Sequence, residues 1–125
     1  MPGALSVQVR GVDSLADRIR LLRPRMRRAT IAAVTEAGQG LEDGMKALAP
    51  VDTGRLRDSI RHEVEGTTAT AGPGREVDYA IFVEFGTSRM PAQPYVRPVV
   101  QAEKLLFPAL VRKHLDAELK RGGRR

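Results

Sequence analysis

Residues 25–50 read RMRRATIAAVTEAGQGLEDGMKALAP. Ile31, Val34, Gly38, Leu41, Met45 and Leu48 recur at spacings of three and four, which places them on one stripe of an α-helix. Pro50 disfavours helical conformation at the residue before it and so ends the helix. Gly38, Gly40 and Gly44 each lower intrinsic helix stability by about 1 kcal/mol relative to Ala. A helix that keeps three glycines needs a compensating contact. Close backbone approach to a sheet, or to a neighbouring subunit, would supply one.

Toward the C-terminus, Val51-Asp52-Thr53-Gly54 reads as a turn, and Arg55–Ser59 as one helical turn capped by Asp52 or Thr53. Ile60, His62 and Val64 alternate with Arg61, Glu63 and Glu65, the period of a strand that Gly66 ends. Thr67–Ala71 is a weaker strand, and the two pair as a hairpin before the turn Gly72-Pro73-Gly74. Tyr79, Phe82, Val83 and Gly86 are helically spaced while Ile81 and Phe85 fit a strand, and Tyr79–Phe85 is expected as a short helix. Pro91, Pro94 and Pro98 make Gly86–Pro98 an extended loop. A last helix runs from about Arg97 to Lys120, with Val99, Ala102, Leu106, Leu110 and Lys113 on one face and a kink at Pro108. Residues 122–125 are expected as a frayed basic tail.

Toward the N-terminus, Leu5, Val7 and Val9 alternate with Ser6, Gln8 and Arg10, the pattern of a short edge strand ended by Gly11. Asp13 or Ser14 caps a helix through about Leu22, and Pro24 breaks it or opens the next. The expected class is α+β: a small antiparallel sheet packed on a long central helix, with a C-terminal helix, in one domain over residues 1–121.

Aromatic residues are only 4%, so Val, Leu, Ile and Ala must build most of the core. The absence of Cys excludes disulfides and zinc-finger sites. No apolar run is long enough to span a bilayer, and the first residues lack a signal-peptide pattern, so synthesis and folding in a cytoplasm are expected. Charge is unevenly spread. Residues 18–28 hold six Arg and no acid, and residues 112–125 hold six basic residues against Asp116 and Glu118, leaving the remainder net acidic. That polarity suits head-to-tail association of identical subunits. It also suits nucleic acid, the alternative being a nucleic-acid-binding module. The Arg-rich segment has no aromatic residue for base stacking, so Arg23, Arg25, Arg27 and Arg28 are candidates for docking or for facing DNA.

Asp52-Thr53-Gly54 is also the tripeptide of aspartic proteases, whose chemistry needs two carboxylates sharing a proton. Those triplets end strands in sheet-rich chains. Here a helical pattern precedes the triplet and Arg55-Leu56-Arg57-Asp58 follows, which favours a turn. His62 and His114 have no second ligand at metal-binding spacing. Glu84, between apolar residues, reads as an interfacial partner for Arg or an exposed side chain rather than a buried base. No catalytic, metal or cofactor site is expected.

Ala49-Pro50-Val51-Asp52-Thr53-Gly54-Arg55-Leu56-Arg57-Asp58-Ser59-Ile60, then Tyr79-Ala80-Ile81-Phe82-Val83-Glu84-Phe85-Gly86-Thr87, then Pro91-Ala92-Gln93-Pro94-Tyr95-Val96-Arg97-Pro98 occur in this order. Together they resemble the tail-completion or minor tail components typified by gene product ten of a lambda-like siphophage. The resemblance implies an α+β structural virion protein with no catalytic activity or cofactor, acting in the tail or neck as a ring. A homo-oligomer, with a hexamer as one arrangement, would meet the tail terminator, a connector or stopper, and the tail tube. It would touch genomic DNA non-specifically in its lumen, meet no membrane, and assemble in the host bacterial cytoplasm. Pro50, Asp52, Thr53, Gly54, Gly86 and Pro94 are the structural motif, setting the backbone of the loops. Glu84, Thr87, Met90, Tyr95 and Arg97 are the expected assembly contacts. Burial frequencies place Phe82 in the core, whereas the Pro-rich loop places Tyr95 on the surface.

Overall fold

The first helix, α1 (Val12–Leu48), runs 37 residues and contains Pro24 within it. The computed structural model describes residues 12–123, so the expected Leu5–Val9 strand and the final two arginines lie outside the described residues. The expected break at Pro24 does not occur. Proline removes one donor, which would have bonded the Arg20 carbonyl, and this part of α1 is exposed, so water can reach that carbonyl.

After α1 come α2 (Arg55–Ser59), β1 (Arg61–Glu65), β2 (Thr68–Gly72), α3 (Ala80–Phe85) and α4 (Arg97–Gly123). Together they make the expected α+β arrangement. α4 lies antiparallel to α1. Arg28 Nε donates to Glu118 Oε2 at 3.1 Å, Lys113 Nζ to Glu36 Oε1 at 2.7 Å, and further along Gly40 faces Glu103 and Gly44 faces Val99. The hairpin crosses the same helix at Gly38, with His62, Val64, Ala69 and Ala71 turned inward. Glu65 opposes Thr68 across the two-residue turn Gly66-Thr67. Positive φ at Gly66 alone (59°) identifies a type II′ turn, whose twist matches that of the strands.

The glycines of α1 make the approach possible. A Cβ on Gly38 would stand 2.9 Å from His62 Cδ2, one on Gly40 2.5 Å from Glu103 Oε1, and one on Gly44 2.6 Å from Val99 Cγ1. Below them Ala29, Ala33, Val34 and Ala37 are buried, a small-residue face along which α4 lies. Beyond Gly44 the core thickens into Met45, Ala49, Leu56, Ile60, Val77, Ala80, Val83, Tyr95 and Val99.

Two local expectations change. Ala102, Leu106 and Lys113 of α4 are exposed, and the inward stripe is Val99, Glu103, Phe107, Leu110 and His114. α4 carries apolar residues on more than one side, so periodicity cannot choose its face. The space opened by Gly40 and Gly44 does. α2 is not capped by Asp52, which makes no hydrogen bond among the described residues. Gly54, in the left-handed region at φ 83°, holds the N-cap position, and Thr53 Oγ1 accepts the Arg55 N–H at 3.3 Å.

Gly44→Ala gains helix propensity of about 1 kcal/mol but overpacks the buried Val99, which costs about 1–3 kcal/mol. Thermal unfolding should therefore show net destabilisation. Gly72→Ala, whose added methyl would meet nothing within 4 Å, should be neutral or mildly stabilising in the same assay.

Candidate assembly surface

α3 is six residues long, and five of them are apolar: Ala80, Ile81, Phe82, Val83 and Phe85. A helix this short touches the core along one side only. Ala80 and Val83 face inward, while Ile81 (59% exposed), Phe82 (53%) and Phe85 (58%) face outward. Tyr79 flanks the helix, and exposed Val51 lies on the turn between α1 and α2. Between α3, the 50–56 turn and the following loop lies a cavity of about 320 Å³, lined by Asp52, Arg55, Tyr79, Phe82, Met90 and Gln93 among others. The motif stretches thus converge on one apolar surface.

The loop after α3 is held tightly. Gly86 has φ 77°, and a Cβ there would lie 2.7 Å from the Ala92 nitrogen, so only glycine fits. Thr87 and Met90 exchange backbone hydrogen bonds, and Thr87 Oγ1 accepts from the Arg89 and Met90 N–H groups. Gln93 N–H returns to Val83 O at 2.8 Å.

Glu84 is the only acidic residue of α3, and it points inward at 8% exposure. Its Oε1 accepts the N–H groups of Tyr95 (2.9 Å) and Val96 (2.8 Å), and its Oε2 that of Arg97 (3.2 Å). These donors open α4, where helix N–H groups have no intrahelical partner and the helix dipole favours negative charge. One carboxylate therefore caps α4 from a different helix. Burial pushes the Glu84 pKa up, but the three backbone donors and the nearby Arg97 charge outweigh it, and the net shift is downward.

Two of the expected assembly residues, Glu84 and Tyr95, are buried, and Phe82 changes place in the opposite sense. Glu84 is buried and fully used as a cap, so it is not free to meet an Arg of another subunit. Tyr95 is 1% exposed and donates from its hydroxyl to Ala80 O at 3.3 Å: it is a core plug, not a surface anchor. Phe82, expected in the core, is on the surface instead. Thr87 is exposed, and its hydroxyl oxygen accepts the Arg89 and Met90 N–H groups while its O–H remains a donor. Met90 is half-buried at the cavity, and Arg97 lies over the Phe85 ring at 4.9 Å from its centroid, at the edge of the apolar surface. Asp52 is exposed on its bend, Pro50 and Gly54 line the cavity, and Pro94 lies on the other side of the loop. Among the described residues no group of three or more His, Asp or Glu is placed to hold a metal ion. His62 instead meets Glu42 at 3.1 Å, and that contact holds the Glu42 carboxyl below its ordinary pKa.

The Arg segment is on α1, far from α3. Arg28 is tied to Glu118 and Arg20 to Asp17, while Arg23, Arg25 and Arg27 have no ion pair among the described residues.

A family model described as Bacteriophage HK97-gp10, putative tail-component matches residues 13–86. The match spans α1, α2, the hairpin and α3, so it includes the long helix, which contributed no motif of its own. No curated protein and no solved structure matches the chain.

Glu84→Gln keeps the shape but removes the charge and turns an N–H₂ toward one of the donors. Hydrogen bonds to charged groups contribute about 1.5–3 kcal/mol, and chemical denaturation should show a loss of that order. The sign with pH follows from the depressed folded-state pKa. The Glu84 contribution is complete above the ordinary carboxylate pKa and disappears as pH falls through the lower folded value. The gap between parent and Glu84→Gln should therefore narrow in acid. A gap that is constant with pH would show that charge is not what Glu84 supplies.

Proposed function

Since the chain belongs to the HK97 gp10-like family of bacteriophage tail components, we propose that it is a non-catalytic structural subunit that forms a homo-oligomeric ring at tail completion or at the head–tail junction. The observation that carries this reading is the outward face of α3. Ile81, Phe82 and Phe85 are more than half exposed on one short helix, with Tyr79 next to it in sequence. Contiguous apolar surface of this kind on a small protein marks an interaction site. Its rim is polar and charged, with Asp52, Arg55, Gln93 and Arg97 around it, the layout of a protein interface. The loop prolines and the Glu84 cap hold the surface rigid, which limits the entropy lost on association. The partners that suit this surface are a second copy and the adjoining neck and tail proteins: tail terminator, connector or stopper, and tail tube. The place of action is the virion, after assembly in the host cytoplasm. No helix among the described residues is long and apolar enough to cross a membrane.

The non-catalytic reading rests on the setting of Asp52-Thr53-Gly54: the triplet lies on an exposed bend between α1 and α2, whereas the aspartic protease triplet ends a strand in a sheet-rich chain.

The basic segment has its own role in this reading. The N-terminal half of α1 and the C-terminal end of α4 lie side by side and form a basic two-helix arm. It suits the acidic remainder of a neighbouring subunit, or phosphates passing through a lumen. Both bind by long-range attraction that weakens with salt.

Ile81→Ser combined with Phe82→Ser should leave the melting transition of the monomer nearly unchanged and abolish incorporation into particles. A collapse of the monomer's own transition would place these side chains in the fold instead. Arg23→Gln, Arg25→Gln and Arg27→Gln together should barely shift melting, because exposed charges contribute only about 0–1 kcal/mol each. Sedimentation with a partner ring should show weaker association than the parent at low salt and a flatter salt dependence. Equal binding at every salt concentration would make the arm a solvated face.

A further inference from the structure

Among the described residues the hairpin is two strands wide, so each strand is paired along one edge only. Glu65 and Thr68 close the two-residue turn as a hydrogen-bonded pair. By alternation, His62 and Val64 on β1 and Ala69 and Ala71 on β2 turn their N–H and C=O groups outward. None of the four makes a further backbone hydrogen bond among the described residues. The two outer edges differ in what borders them. Beside β2 runs a groove of about 270 Å³ between the sheet and α4. Its walls are mainly apolar: Val34, Ala37 and Leu41 of α1, Ala69 of β2, and Val100 and Phe107 of α4. An open strand edge beside an apolar trench is the acceptor geometry for strand addition, in which main-chain bonds run along the edge and alternate side chains fill the trench.

Outside the described residues, the sequence holds a segment with the matching period. Leu5, Val7 and Val9 are apolar, and Ser6, Gln8 and Arg10 between them are polar. That segment cannot reach the groove of its own chain. Val34, the first groove residue on α1, is separated from Val12 by about 22 residues of helix, roughly 33 Å at 1.5 Å per residue. Even a fully extended chain advances at most about 3.5 Å per residue. Val9 can therefore lie no more than about 10 Å from Val12, and Leu5 no more than about 25 Å. The helix acts as a spacer that separates donor from acceptor within one molecule.

We propose that Leu5–Val9 of one copy adds as a third strand to the β2 edge of a neighbouring copy, with Leu5, Val7 and Val9 seated in the groove between β2 and α4. This rests on the reading that the chain self-associates, and it supplies a heterologous contact, donor on one surface and acceptor on another. Repeated contacts of that type close into rings when the rotation per subunit permits. The contact lies apart from α3, which leaves the α3 surface for docking along the tail axis.

The chain has no native Cys, so disulfide trapping reads directly. Paired Cβ atoms on adjacent strands lie about 4.5–5.5 Å apart, close enough for mild oxidation to join them with little movement. Full-length Leu5→Cys, Val7→Cys and Val9→Cys proteins are each mixed with full-length Ala69→Cys. At least one mixture should give a mixed covalent dimer on a non-reducing gel, and a Thr70→Cys partner, facing the other side of the sheet, should give none. Val7→Asp should leave monomer melting unchanged and eliminate the oligomer in sedimentation. Three negative mixtures, or a Val7→Asp protein that assembles like the parent, overturn strand donation while the parent's oligomer still supports the ring. A Val7→Cys/Ala69→Cys protein that closes its disulfide within one chain also overturns it. A parent that sediments as a monomer at every concentration removes both readings.

Discussion

The structure depends on how closely other elements can approach the backbone of one long helix. Along α1, Ala29, Ala33, Ala37, Gly38, Gly40 and Gly44 present almost no side-chain volume. With few aromatics available, the protein obtains tight packing by bringing backbones together instead of filling space with large side chains. The hairpin settles at Gly38, the Glu103 carboxyl occupies the space above Gly40, and Val99 fits over Gly44. Each glycine weakens the isolated helix by about 1 kcal/mol; at Gly38 and Gly44 packed side chains occupy the space that a Cβ would need, whereas at Gly40 the neighbour is the movable carboxylate end of Glu103. Glu103 illustrates the closeness: burial against α1, followed by the charge of Glu36, pushes its pKa up.

A second consequence concerns which apolar groups remain outside. Once α4 is fixed on α1, its N-terminus lies beside α3, and Glu84 joins the two by accepting three N–H groups. That bond pattern draws Tyr95 inward, where its ring fills the core and its hydroxyl reaches Ala80 O. With Tyr95, Ala80 and Val83 occupying the inner side, Ile81, Phe82 and Phe85 have nowhere to go but out. The apolar surface of α3 is thus produced by the same packing that stabilises the monomer. In the function proposed above, assembly covers this surface.

Much of this was legible in the sequence. The stripe from Ile31 to Met45, the alternation of Ile60, His62 and Val64, the turn at Gly66, the short helix before Gly86 and the need for close contact along the glycine face all follow from local periodicity and backbone sterics, whereas Leu48, the last member of the expected stripe, is exposed at the helix end. The misreadings share a cause, in that they depend on tertiary partners. Pro24 marks a helix end only if its neighbours cannot satisfy the lost bond. The phase of α4 was ambiguous because Val100, Leu105, Leu106 and Phe107 surround it. Tyr95 reads as a surface residue from its Pro-rich neighbourhood, and only the Glu84 bonds reveal that it turns inward. The signal for the exposed α3 surface was present: Ile81 and Phe85 fitted a strand while Phe82 and Val83 fitted a helix, which means that apolar residues surround the element and that some of them must be exposed.

The most direct test of the central claim is amide hydrogen exchange compared between the free subunit and assembled particles. The amides of a short helix with one exposed side open more readily than those of the buried α1–α4 seam. If α3 is the docking surface, the amides of Ala80–Phe85 should become strongly protected on assembly, while the α1 segment around Gly40 and Gly44, already buried under α4, should change little. Unchanged exchange in α3, with new protection confined to other segments, would contradict the account.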